Sequence, residues 1–168
     1  MRSNTLINFS AKEGMGGQIM SDGLDVIIID DDSQVREMVS LIIRQFYTWG
    51  RVLSFTNVND AIVYCREQQS GVAIFVLDVF MKDGTGFSFL DQIADRFPMA
   101  YEDTIIITGN ASDDVVNMCI ASDITHLLEK PLRAYTLQLA VRAIVSKYIK
   151  FAKKLRDYPE LAKEISNF

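Results

Sequence analysis

The stretch at residues 26–32, VIIIDDD, decides the fold, because four β-branched residues run directly into three aspartates. An apolar run without alternation predicts a strand that is buried on both faces, as strands of parallel sheets are. Four further short apolar runs follow, and stretches with helical spacing separate them. These runs are residues 51–55, 72–77, 104–107 and 125–128. Five repeats of strand and helix predict one doubly wound α/β domain around a five-stranded parallel sheet.

The helical stretches show apolar residues at intervals of three and four. The first of them contains Val35, Val39 and Phe46, and the third runs from Phe87 to its end at Pro98. Polar residues that favour a helix start precede three of the stretches. These residues are Ser33, Asn57 or Asn59, and Ser112.

Composition places the chain in the globular class and excludes several others. The chain has 168 residues, of which 49% are hydrophobic, and a net charge of −5, which argues against a nucleic-acid surface. Cys65 and Cys119 lie in apolar runs without metal spacing, which predicts buried free thiols and a cytoplasmic protein. Residues 1–23 lack a continuous apolar core, so we interpret them as a flexible leader rather than a secretory signal.

Polar side chains stand where the apolar runs stop. Asp30 ends the first run, Asp78 the third and Thr108 the fourth, and Lys130 follows the fifth. Doubly wound sheets bind ligands at the carboxyl ends of their strands, so we expect these groups and Asp31 to share one edge. Each residue alone could simply cap a helix or open a turn, but the five together predict a site.

The chemistry of such a site follows from its charges. Three unpaired carboxylates raise one another's pKa, and a hard divalent cation such as Mg²⁺ relieves the repulsion. A carboxylate can also act as the nucleophile of phosphoryl transfer, with an ammonium group pairing with the phosphoryl oxygens. The sequence therefore predicts a Mg²⁺-assisted phosphoryl site.

Four segments together resemble the receiver domain of two-component response regulators. They are VIIIDDDSQVR at 26–36, IFVLDVFMKDGTGFSFL at 74–90, IIITGNAS at 105–112 and HLLEKPL at 126–132. The resemblance covers about residues 24–148 and implies the flavodoxin-like strand order 2-1-3-4-5. It implies a switch that a histidine kinase or phosphotransfer protein phosphorylates and that a downstream protein reads, with no direct contact to nucleic acid or membrane.

The resemblance also implies a role for each site residue. Asp78 is similar to the phosphoacceptor, and Asp30 and Asp31 to the acidic pair that holds Mg²⁺ with it. Phe80 should offer only its backbone carbonyl to the metal. Thr108 matches the switch hydroxyl, and Lys130 matches the phosphate-pairing lysine, before a proline that is usually cis in the family. Such a protein acts on its own aspartate and is not an enzyme for external substrates.

The chain departs from the family pattern at three positions. Lys82 stands where the family often has proline, so the loop after Asp78 has lost one source of rigidity. Leu127 occupies the aromatic switch position, which leaves the coupling mainly to Thr108. Phe80 cannot orient a hydrolytic water, so we expect a long-lived phosphoryl group unless Asn110 supplies that function.

Two other function classes remain as alternatives. A receiver-like adaptor that keeps the fold without phosphorylation would not need the acids, Thr108 and Lys130. A Mg²⁺-dependent phosphatase would need a second aspartate two residues after Asp78, where Phe80 stands. The glycine-rich segment at 82–86 lacks the Gly-Lys-Ser/Thr ending of a P-loop and is interpreted as a turn.

Residues 149–168 form a predicted C-terminal helical extension. An apolar line with alternating steps of four and three runs past the end of the domain, through Leu137, Val141, Ile144, Tyr148, Phe151 and Leu155. We expect Tyr148, Phe151 and Leu155 to be spare and Pro159 to end or kink the helix. The extension could mediate homodimerisation or docking of a partner, fold back on the domain, or begin a linker to an output domain.

Overall fold

The computed structural model describes residues 23–69 and 71–167, so the predicted leader lies outside the described residues except for Gly23. Helices and strands alternate in the order that the apolar runs predict, except that two short strands follow the third strand and a second helix follows the last long one. The helices are α1 Ser33–Phe46, α2 Val58–Glu67, α3 Gly86–Ile93, α4 Asp113–Ala121, α5 Ala134–Asp157 and α6 Pro159–Ile165. The strands are β1 Val26–Ile29, β2 Val52–Phe55, β3 Ile74–Asp78, β4 Phe80–Met81, β5 Gly84–Thr85, β6 Thr104–Thr108 and β7 His126–Glu129.

Five of the strands form one parallel sheet in the order β2-β1-β3-β6-β7. This is the predicted order 2-1-3-4-5, because β6 and β7 are the fourth and fifth strands of the sheet. The small antiparallel hairpin of β4 and β5, which directly follows β3, was not predicted. Two-residue strands carry too little apolar pattern to be recognised in a sequence.

The core lies on both faces of the sheet, as the unbroken apolar runs predict. On one face Phe75 packs edge-on against Phe89 and Phe97, with ring centroids 5.7 and 5.4 Å apart, under α2, α3 and α4. On the other face Ile28 and Ile105 pack with buried residues of α1 and α5. Burial of a large apolar side chain contributes about 1.5–3 kcal/mol, so these two layers hold the strand ends in fixed positions.

The helix starts agree with the sequence at two of three predicted positions. Asn57 caps α2 and Ser112 caps α4 through their side-chain oxygens. The prediction of Ser33 for α1 is wrong, because Asp32 accepts the amide hydrogens of Gln34 and Val35 and Ser33 is already helical. An aspartate side chain caps a helix as well as a serine side chain does. Its negative charge also interacts favourably with the positive N-terminal end of the helix dipole.

The end of the chain differs from the prediction at one residue. Tyr148 is not spare, because its ring packs partly buried against the core and its hydroxyl donates to Asp103. Phe151 is 45% exposed, and Pro159 is the first residue of α6, where its missing amide costs nothing. In the described part of the chain, no helix is both long and apolar enough to cross a membrane.

Candidate functional site

The strand ends meet at one edge, as predicted. Asp30 follows β1, Asp78 ends β3, Thr108 ends β6, and Lys130 follows β7. Because β1 and β3 are neighbours in the sheet, one carboxylate oxygen each from Asp30, Asp31 and Asp78 lies within 4.8 Å of the other two. The arrangement of these three acids is one that can hold a metal ion.

One ammonium group serves this acidic cluster. The Nζ atom of Lys130 lies 2.7 Å from Oδ2 of Asp78 and 3.1 Å from Oδ2 of Asp30. Burial raises the pKa of Asp30, and the nearby charge of Asp78 adds to the rise. Burial acts to lower the pKa of Lys130, but its hydrogen bonds to Asp78 and Asp30 raise it overall. Lys130 therefore stays charged, and it cannot balance three carboxylates alone.

Backbone amides orient all three carboxylates. The amide of Asp32 donates to Asp30 at 2.9 Å, and that of Phe80 donates to Asp78 at 3.2 Å. The amide of Lys82 donates to Asp31 at 3.1 Å, across 51 residues of sequence. The loop that follows β3 thus fixes two of the three acids, which keeps the cluster preorganised.

Thr108 lies at the same edge and is 1% exposed. Its hydroxyl lies 3.2 Å from both the amide nitrogen and the carbonyl oxygen of Asn110, so it bonds to its own loop. The amide of Lys130 donates to the Thr108 carbonyl at 2.8 Å. This bond joins the ends of β6 and β7 and places the hydroxyl and the ammonium group on adjacent segments.

The side chains of Phe80 and Leu127 make no hydrogen bond or ion pair with the acids, because both are apolar. Phe80 is 63% exposed, while its amide contacts Asp78. Leu127 is half-buried against the core and pairs in register with Ile106. The metal contact of the Phe80 carbonyl and the switch role of Leu127 stay predictions. The peptide bond between Lys130 and Pro131 is cis, as the resemblance implies.

Three supporting residues were not singled out from the sequence. Nη1 of Arg36 donates to the Asp30 carbonyl at 2.8 Å, and Oδ2 of Asp83 accepts the amide of Val58 at 2.8 Å. Gly86 lies so close behind the acceptor that a Cβ atom would come 2.6 Å from the Asp78 carbonyl oxygen. The helical position of Arg36, six residues after Asp30, could have indicated its role. Asp83 gives no local signal, because its partner is 25 residues away.

The sequence model of the family described as the response regulator receiver domain matches residues 26–142. The chain belongs to the response regulator receiver family. Receiver domains are the signalling modules of two-component systems, which is the family that the four sequence segments predict. The match ends inside α5, so the distal half of that helix and all of α6 lie beyond it.

Similar proteins agree with this assignment. The transcriptional regulatory protein CitT of Bacillus subtilis is 23% identical, over 84% of this chain and 59% of its own length. The probable C4-dicarboxylate response regulator DctR of Halalkalibacterium halodurans is 25% identical, over 83% of this chain and 57% of its own. The chain thus spans less than two thirds of these curated relatives.

Solved structures show the same fold. The beryllofluoride-activated receiver dimer of NtrC4 matches with a TM-score of 0.64 and 26% identity, over 74% of this chain and 98% of its own. The chemotaxis protein CheY4 of Vibrio cholerae matches with a TM-score of 0.63 and 20% identity, over 73% of this chain and 98% of its own.

Proposed function

We propose that this receiver takes a phosphoryl group onto Asp78 from a phosphohistidine of a sensor kinase or phosphotransfer protein. The observation that carries the proposal is the charge balance of the acidic cluster: among the described residues, Lys130 is the one cation that forms ion pairs with the carboxylates of Asp30 and Asp78, and Asp31 lies beside them. Such an excess of negative charge destabilises the folded state, and it suits an added cation and an incoming phosphoryl group.

Mg²⁺ is the metal that the donor set fits. The site offers carboxylate oxygens and no sulfur or imidazole ligand among the described residues that compose it, and Mg²⁺ prefers a few carboxylates with water and phosphate oxygens. Asp30, Asp31 and Asp78 would hold it, with the backbone carbonyl of Phe80. When bound, the metal neutralises the charge that develops on the phosphoryl oxygens.

The residues of the chain divide the remaining tasks. A carboxylate oxygen of Asp78 forms the new P–O bond as the P–N bond to the donor histidine breaks, and the leaving imidazole keeps the electron pair and takes a proton from solvent. Lys130 already contacts Asp78 and pairs with the phosphoryl oxygens after transfer. The reaction is confined to the protein's own aspartate, so external substrates are not turned over.

Thr108 and Leu127 carry the signal from the site in this proposal. The Thr108 hydroxyl exchanges its bonds with Asn110 for a bond to the phosphoryl group, which moves the loop before α4. The Leu127 side chain has no polar group, so it responds to the movement of this loop only through its packing contacts. The output is a changed contact with a downstream protein, and we place the protein in the cytoplasm, where sensor kinases present their phosphohistidines.

The side chain of Phe80 sets the lifetime of the phosphoryl group in the same proposal. It stands 63% exposed beside Asp78 and offers no hydrogen bond to a hydrolytic water. Loss of the group should therefore be slow, and Phe80→Gln should accelerate it several-fold if Asn110 does not already supply this function. A half-life of seconds in the unchanged protein would contradict the assignment.

Intact-protein mass after incubation with acetyl phosphate and Mg²⁺ tests the proposal. We expect the wild type to gain the mass of one phosphoryl group, Asp78→Asn to gain none, and the exposed control Asp95→Asn to behave as the wild type. Chelation of Mg²⁺ with EDTA should abolish the gain. A folded wild type that gains nothing would instead support the adaptor function.

A further inference from the structure

The positive charge of the chain is concentrated in its last long helix. Residues 130–156 contain eight lysines and arginines, whereas all 22 acidic residues lie elsewhere in the sequence. A protein with a net charge of −5 thus consists of a strongly acidic body and a strongly basic helix. Such asymmetry is typical of a segment that meets an acidic partner.

The basic helix is anchored at its middle and exposed beyond that point. Asp103, which is 1% exposed, accepts hydrogen bonds from both Lys147 and Tyr148. Leu137, Val141 and Ile144 bury the first half of α5 against the sheet. From Ile149 onward every described residue of α5 is exposed except Leu155, which is half-buried. These last nine residues of α5 therefore extend from a fixed point, contact α6, and lie outside the region that the receiver family shares.

This segment presents an apolar line beside its lysines. Phe151 and Leu155 continue the line of buried residues of the first half, and Phe151 is 45% exposed. At about 100° per residue, Lys154 lies within about 100° of both, and Lys153 lies about 160° away, on the opposite side of the helix. The apolar line thus has a cation at its edge, as the seam of a heterodimeric coiled coil has.

We propose that the last nine residues of α5, residues 149–157, dock an acidic amphipathic helix of another protein. The partner's apolar side chains cover Phe151 and Leu155, and its carboxylates pair with Lys150 and Lys154. The same segment of a second copy would bring the same cations, so two such helices would repel each other. Nucleic acid would leave Phe151 exposed, and the apolar line is too short to insert into a lipid surface.

Fluorescence anisotropy with synthetic probes on the full chain tests this docking. The probe is a labelled helical peptide with leucine along one line and glutamate beside it, and its control carries glutamine in place of glutamate. Duplex DNA and phosphatidylserine vesicles test the other anionic surfaces. We expect the glutamate peptide to bind at least tenfold more tightly than each of these.

Neighbouring lysines supply a matched pair of variants. Lys154→Glu should weaken binding of the glutamate peptide about tenfold, whereas Lys153→Glu, with the same charge change on the opposite side, should weaken it by about threefold or less. Phe151→Ala should weaken it without altering its salt dependence. If Lys153→Glu and Lys154→Glu weakened binding equally, the peptide would be responding to the overall positive charge rather than to one side of the helix, and the proposal would be overturned. Tighter binding of DNA or vesicles, or no binding of the peptide, would overturn it as well.

Discussion

Two buried aspartates lie at opposite ends of the sheet and differ in how their charges are balanced. Asp103, before β6, is 1% exposed and has the ammonium group of Lys147 and the hydroxyl of Tyr148 to itself. Asp30, after β1, is 3% exposed and shares Lys130 with Asp78 while Asp31 lies nearby. A closed charge balance is typical of a structural anchor, and an open one is typical of a site for chemistry.

The largest expected effect concerns the anchor. Asp103→Ala should lower the free energy of unfolding by about 3 kcal/mol, because Tyr148 loses its acceptor and Lys147 its counter-charge. Urea denaturation monitored by circular dichroism measures the loss. The exposed Asp95→Ala should stay within about 0.5 kcal/mol of the wild type. Equal small losses in both variants would mean that the anchor contributes nothing.

Substitution of Asp30 should have the opposite sign. Asp30→Asn removes a buried charge from a cluster with too few cations, and Lys130 keeps Asp78 as its partner. We expect the free energy of unfolding to rise by about 1 kcal/mol in EDTA, while affinity for Mg²⁺ falls at least tenfold. If Asp30→Asn lowered the free energy of unfolding in the absence of metal, the charge of Asp30 would be stabilising, as that of Asp103 is expected to be.

The two aspartates differ in how far their roles can be predicted from the sequence. Asp30 could be recognised because it ends an apolar run, and Asp78, Thr108 and Lys130 follow the same rule. Asp103 could not, because it lies in a turn and its partners lie 44 and 45 residues later, on α5. The same limit explains the wrong prediction for Tyr148. In the sequence Tyr148 belongs to an apolar line, and only the folded chain shows that its hydroxyl donates to Asp103.

Sequence patterns also missed the hairpin of β4 and β5, which braces the acidic cluster. Short strands leave no periodicity, and contacts such as that between Asp83 and Val58 depend on the completed fold. The strand–helix repeat predicted the doubly wound class, and the family resemblance implied the strand order. The bracing had to be seen in the structure, and it suggests how the loop keeps its shape with Lys82 in place of the common proline.

A smaller effect is expected when this brace is removed. Asp83→Ala leaves the first amide of α2 without its acceptor, loosens the loop and should weaken Mg²⁺ binding about threefold, which calorimetric titration can measure. Asp83→Asn keeps an acceptor oxygen and should bind Mg²⁺ as the wild type does. An affinity that follows the charge in both variants would point to long-range electrostatics instead.

The smallest effect should come from His126, which is half-buried on β7 near the anchor. Burial lowers its pKa below the ordinary 6.5, and the positive charge of Lys147 adds to this. The unfolded chain therefore binds the proton more readily than the folded one between the folded pKa and 6.5. Stability from the neutral ring is complete above pH 6.5 and is lost as the pH falls through this window.

His126→Gln should remove that dependence. Urea denaturation at pH 7.5 and 5.5 should show a smaller drop in the free energy of unfolding for His126→Gln than for the wild type. The two proteins differ at residue 126 alone, so the difference reports the imidazole. Parallel losses would mean that a protonated His126 is tolerated beside Lys147, with Asp103 compensating both charges. The negative charge of Asp103 would then stabilise a second positive charge besides that of Lys147. The charges around Asp103 would therefore be less fully balanced than the geometry indicates.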